Sequence, residues 1–122
     1  METTMTRVKG IDATYYTTKD LAKSTKFYSE LFGMEPTMHM ANLFSEWTFP
    51  GDESFGLYQN AEDFHASGGV MFAVDDPAAF VSAAKARGVH FDDGGKLEET
   101  PACHMAFGRD DEGNGFIIHR RK

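Results

Sequence analysis

The feature of this sequence that most limits its fold is that it repeats. Ala13 falls against Gly69 and Asp20 against Asp76, both 56 residues apart, and Gly33 meets Gly88 one residue short of that spacing. Self-similarity over such a period marks a duplicated supersecondary unit. Each copy reads as a strand, a helix and three strands. One βαβββ unit has too small a core to stand alone, whereas two can pair and share one. The expected fold class is therefore α+β, with two tandem βαβββ modules in one domain. The first module covers about 8–60, a linker about 61–68 and the second module about 69–120.

In the first copy, Val8 to Thr18 is rich in β-forming residues and predicts a strand. Thr18 or Asp20 can cap the helix on which Leu21, Thr25, Tyr28 and Leu31/Phe32 recur, and Gly33 ends it as a left-handed cap. Thr37 to Phe44, Glu46 to Phe49 and Ser54 to Gln59 are the three strands, the last two joined by a turn over Pro50-Gly51-Asp52-Glu53. Asn60 to Gly68 is polar, with one helical turn expected through Glu62 to His65. In the second copy, Val70 to Val74 is an apolar strand. Asp76 caps a helix with Pro77 at its first position, Phe80, Val81, Ala83 and Ala84 on its buried side, and Gly88 at its end. Val89 to Asp92, Cys103 to Gly108 and Gly115 to Ile118 follow as strands. Asp110 caps the turn between the last two, and Gly113 and Asn114 tolerate the positive φ of a reversal.

Composition removes several functional classes. A hydrophobic share of 41% is globular rather than disordered. No apolar run approaches the ~18 residues of a membrane span, and Met1 to Lys9 is polar and lacks the apolar region of a signal peptide. The single cysteine, Cys103, excludes an internal disulfide framework, so the expected location is a reducing cytoplasm. A net charge of −7 argues against nucleic-acid binding. It suits a cationic ligand, but it equally suits plain solubility.

Motifs along nearly the whole chain, from about Val8 to about His119, carry a family resemblance. They are Asp20-Leu21 with Phe27-Tyr28 and Leu31-Phe32-Gly33-Met34-Glu35, then Phe72-Ala73-Val74-Asp75-Asp76 and Ala86-Arg87-Gly88-Val89, and finally Asp110-Asp111-Glu112-Gly113-Asn114. In these the chain resembles the vicinal-oxygen-chelate superfamily, which includes glyoxalase I, extradiol dioxygenases, fosfomycin-resistance enzymes and bleomycin-resistance binding proteins. The resemblance implies that each module curves into a half-barrel-type sheet, that the concave faces enclose a cavity, and that chains pair as homodimers. It also implies a divalent metal held from the first and last strand of each module. The positions that match those ligands here are Ala13, Gly56, Gly69 and Ile117, and none has a side chain able to ligate. A register slip at Gly56 would offer Tyr58 or Gln59, and one ligand makes no site. No metal and no other cofactor is therefore expected.

The remaining candidates are weighed on their chemistry. His39, His65, His90, His104 and His119 show no close metal-binding spacing. Cys103 and His104 are adjacent, so on a strand they point to opposite faces and cannot form a nucleophile–base pair. Strand alternation puts Tyr15 and Thr17 on the face of Ala13, and Met71 and Ala73 on the face of Gly69. Small residues at the ligand positions leave room, and aromatic and thioether groups can wall it. The expected ligand-binding residues are Tyr15, Trp47, Phe49, Tyr58, Met71 and His104, with Trp47 and Phe49 facing inward.

Two functions follow as expectations. One is a metal-free binding protein of the bleomycin-resistance type. It would take a small planar or apolar molecule, an antibiotic or related metabolite, in a cavity at a homodimer interface. The other is an enzyme of lyase, isomerase or dioxygenase type. It would use acid–base residues (His39, His104, Glu46 or Glu112) or a relocated metal. Neither involves nucleic acid or membrane.

Overall fold

Among the described residues the chain builds two mixed sheets, each with one α-helix. The computed structural model describes residues 11, 13–62, 64–101 and 103–122. Its first half contains β1 (Ala13–Thr18), α1 (Leu21–Phe32), β2 (Met38–Met40), β3 (Phe44–Thr48) and β4 (Ser54–Gln59). Its second half contains β5 (Val70–Ala73), α2 (Pro77–Ala86), β6 (His90–Phe91), β7 (Glu98–Glu99), β8 (Cys103–Arg109) and β9 (Gly115–Arg121). The strand orders are β1-β4-β3-β2 and β5-β9-β8-β6, with β7 beside β8. The β1–β4 and β5–β9 pairs are parallel and the others antiparallel. Duplication in the sequence thus becomes duplication in topology.

Both helices start and stop where local chemistry directs. The Asp20 carboxylate accepts from Lys23 N–H and the Asp76 carboxylate from Ala79 N–H, each satisfying a donor the helix leaves open. Gly33 closes α1 at φ 71°, a conformation that costs a side-chain-bearing residue more. Pro77 opens α2, where its missing N–H is harmless.

Several expectations are corrected. Ala83 is exposed, so α2 buries Pro77, Val81 and Ala84 instead. Glu62, Phe64 and His65 form no helical turn, and Asp63 lies outside the described residues. The run expected as a strand from Val8 reaches residues outside the described set and is a strand from Ala13. Of the pair in the last turn, only Gly113 takes positive φ. Strand β7 was not expected, because two consecutive glutamates carry no β signal; pairing to β8 extends them.

Each helix covers one face of its own sheet. Leu21, Tyr28 and Leu31 of α1 join Trp47, Phe55 and Leu57, while Val81 and Ala84 of α2 join Ala106, Phe116 and Ile118. Phe72 sits between the halves, with its ring 4.9 Å from Phe32 and 5.3 Å from Phe55, so the two helix-covered faces share one core. Tyr16 stitches the junction: its hydroxyl accepts from Val70 N–H at 2.9 Å and donates to Gly115 O at 2.6 Å. Burial pushes that hydroxyl's pKa up, which keeps it a donor.

Candidate functional site

Among the described residues the opposite face of each sheet carries no helix. Strand register fixes which residues share it. Tyr15 pairs with Gly56, Gly56 with Glu46 and Glu46 with Met38, so these four form one row across the first sheet. Thr17, Tyr58, Phe44 and Met40 form the next row. In the second sheet the matching rows are Met71, Ile117 and Phe107, then Ala73, His119, Met105 and Glu98. Tyr15, Met38, Met40, Tyr58 and Met71 stand exposed on these open faces, an unusual density of large apolar groups in water.

Gly56 explains the first row. A Cβ built there would lie 2.4 Å from the Tyr15 ring, so the ring occupies the space a side chain would need. With the ring over Gly56, the Tyr15 hydroxyl reaches the Glu46 carboxylate, to which it donates a hydrogen bond. Burial, with the hydrogen bond to Glu46 and its negative charge, pushes the Tyr15 pKa up to about 12. Tyr15 is therefore a neutral, fixed donor at neutral pH.

The four positions matching the family's metal ligands do lie on these faces: Ala13 on β1, Gly56 on β4, Ile117 on β9 and Gly69 just before β5. Gly56 stands two residues after Ser54, the partner of Thr48. Ile117 likewise stands two residues after Gly115, the partner of Arg109. No donor atom is presented at these positions, and the Tyr15 ring covers one of them. Among the described residues no three His, Cys, Asp or Glu side chains converge on a point where a metal could sit. The residues present do not fit the family's metal.

The six expected ligand-binding residues divide among five places. Tyr15 and Tyr58 lie on the open face of the first sheet. Met71 lies on that of the second and also lines a groove between the halves. Phe49 lines the same groove on its helix-covered side, its ring 5.3 Å from Phe32. Trp47 is fully buried: its ring packs on Tyr28, Phe32 and Phe55, and its Nε1–H donates to Met34 O at 3.1 Å. The expectation that Trp47 and Phe49 face inward on the concave side is corrected. Alternation was applied properly, but the apolar side of β3 is the one α1 covers. His104 is held by Glu99 at 3.2 Å on the second sheet's other face. Lys122 and His104 together lower the Glu99 pKa, the Lys122 hydrogen bond most.

Of the acid–base candidates, His39 is bonded to Ser45 at 2.7 Å and Glu112 to Thr18 and Lys19, which leaves Glu46 as the one on an open face. Sequence reasoning did not foresee the Tyr15–Glu46 pair, 31 residues apart. Its only signal was a glycine at a mid-strand position, which marks close approach by another group.

Comparison with known proteins places this geometry. The family model described as Glyoxalase/Bleomycin resistance protein/Dioxygenase superfamily matches residues 10–118. A lactoylglutathione lyase structure from Agrobacterium tumefaciens is similar at TM-score 0.77 and 18% identity, over 93% of this chain and 94% of that one. A glyoxalase/bleomycin resistance protein from Albidiferax ferrireducens T118 is similar at TM-score 0.71 and 21% identity, over 92% and 98%. A structure titled Oxidase ChaP-H1 is similar at TM-score 0.72 and 15% identity, over 94% and 98%. No curated protein matches the chain.

Proposed function

Because the chain belongs to the glyoxalase/bleomycin resistance protein/dioxygenase superfamily, we propose that it is a metal-independent member that binds a small planar or apolar molecule. An antibiotic or related metabolite fits that class. The observation that carries this is the row Tyr15, Gly56, Glu46: where a metal ligand would project, a tyrosine ring lies flat and offers a stacking surface. The exposed methionines and Tyr58 extend it into an adaptable apolar wall.

A second copy of the chain would complete the site. The open faces expose Tyr15, Met38, Met40, Tyr58 and Met71, and among the described residues β1 and β5 each keep one edge without a partner strand in their sheets. Sedimentation should show a homodimer at micromolar concentration; a 13.6 kDa species would sink this part of the proposal. In thermal melts, Zn, Ni and Mn should leave the midpoint unchanged, while a planar aromatic antibiotic that binds should raise it. Tyr15→Ala should abolish that rise. Tight binding of one metal per chain, lost on changing His104 or His119, is the contrary result.

A second reading rests on Glu46. A carboxylate on an open face beside a neutral phenol is a base and a donor within one hydrogen bond. An acid–base lyase or isomerase reaction lost in both Glu46→Gln and Tyr15→Phe would favour it over binding alone.

A further inference from the structure

A second site lies away from Tyr15 and Tyr58. It is a groove of about 940 Å³ between the end of α1, the turn at 49–53, β5 and α2. Phe32, Phe49, Phe55, Phe72, Val74 and Phe80 form its floor and walls. The fold's own repetition shows why it is open. The turn at 49–53 has an equivalent at 110–114, which docks on the first half. There Thr18, Ser24 and Tyr28 meet Asp110, Asp111 and Glu112 in a filled polar contact. At the groove the corresponding residues, 56 positions on, are Val74, Phe80 and Ala84. Phe49, Pro50 and Gly51 stand for the three acidic residues. Alanine in place of tyrosine withdraws a ring and glycine in place of glutamate withdraws a carboxylate, so the residues that make the polar contact in the other half are replaced here.

Among the described residues the rim carries one cation. Arg121 lines the groove and has no carboxylate partner among the described residues, whereas its neighbour Lys122 is paired with Glu99. The other charged group of the lining, Glu53, lies over Gly51 of its own turn. Net charge is −7, but at physiological ionic strength charges beyond about 8 Å are largely screened, so the charged groups at the groove itself set the local field.

We propose that this groove binds a small amphipathic acid: an apolar chain or ring seated among Phe49, Phe55, Phe72 and Phe80, with a single carboxylate against Arg121. The volume lies within the range of small-molecule sites, and a mostly apolar lining with a few charged groups is their usual composition. The site is separate from the open face at Tyr15 and does not depend on what that face binds.

Decanoate and its uncharged counterpart decanol are the probes, titrated into the full chain with backbone amide shifts recorded. Decanoate should shift amides of β5, α2 and the 49–53 turn and leave those of Tyr15 and Tyr58 unmoved. Arg121→Gln should weaken decanoate about fivefold, as an exposed ion pair does, and leave decanol unchanged. Val74→Trp, with its fold checked by circular dichroism, should weaken both probes at least about tenfold by filling the groove. Shifts centred on Tyr15 and Tyr58 would overturn the proposal, as would decanoate and decanol responding equally to Arg121→Gln. So would binding seen only after deletion of residues 1–10, which would make the groove's occupant the chain itself. Retained decanoate binding in Tyr15→Ala would support it while leaving the open-face proposal to its own test.

Discussion

The turns at 49–53 and 110–114 occupy equivalent places in the two halves and follow the same backbone course. Phe49 N–H donates to Glu53 O, as Asp110 N–H does to Asn114 O. Each passes through a left-handed residue, Asp52 at φ 72° and Gly113 at φ 88°. Their side chains then diverge. The Asp110 carboxylate accepts from Glu112 N–H, Asn114 N–H, the Asn114 amide and the Tyr28 hydroxyl, all within 3.0 Å. Glu112 accepts from Thr18 Oγ1 and Lys19 N–H, and Asp111 from the Ser24 hydroxyl. Phe49 at the position of Asp110 makes a ring contact with Phe32 and borders open space. A conserved backbone course therefore tolerates either a polar lock or an apolar wall. Which one forms depends on the facing helix: Tyr28 and Ser24 can answer a carboxylate, and Ala84 and Phe80 cannot.

The largest effect should come from breaking the lock. Asp110→Ala leaves a buried phenol, a buried amide and two backbone N–H groups without their acceptor. At about 1–3 kcal/mol for each unsatisfied group, partly relieved by water, the loss should be about 4 kcal/mol in urea unfolding. Burial, then the charge and hydrogen bond of Asp110, drive the Tyr28 pKa far up, so this phenol stays a donor throughout. A loss near that of Phe49→Ala would mean that the two turns are energetically alike and the comparison fails.

Trp47→Ala should cost slightly less, about 3 kcal/mol, by opening a cavity under α1. Its counterpart Gly108 has no such role: a Cβ there would lie 2.6 Å from the Phe116 ring, so the second half fills the same volume from β9. A loss of ligand binding in Trp47→Ala without a fall in melting temperature would contradict its placement in the core.

Phe49→Ala should cost about 1 kcal/mol, since the ring is only partly buried on a groove wall. A cost above about 3 kcal/mol would show the groove to be closed in solution.

The smallest effect should have the opposite sign. Burial, and the adjacent Asp110 charge, raise the Asp111 pKa despite the Ser24 hydrogen bond. A carboxyl raised on folding contributes its stability below its unfolded pKa and loses it as pH rises through the folded value. Ionised Asp111 is thus mildly destabilising at neutral pH. Asp111→Asn, which keeps an acceptor for Ser24, should raise stability slightly at pH 7. That gain should shrink as pH falls through the raised pKa and vanish below the ordinary carboxylate range. Urea melts at several pH values that show a constant gain would assign it to something other than this ionisation.

Much of the fold was legible because it rests on local rules. Asp20, Asp76, Pro77 and Gly33 act at helix ends through bonds within a few residues, and they do in the structure what they announce in the sequence. The repeat spacing announced the paired topology. Alternation also assigned Tyr15 to the face of Ala13, and Trp47 to that of Phe49. What alternation cannot do is say which face a helix will cover. That choice is made by packing: α1 buries the side of β3 bearing Trp47 and leaves Glu46 and Met38 in the open. The Tyr15–Glu46 bond, the Tyr16 stitch between Val70 and Gly115, and the groove beside Phe49 all join residues far apart in the chain. Each depends on how two sheets dock, a sum of many weak contacts that no single stretch of sequence encodes.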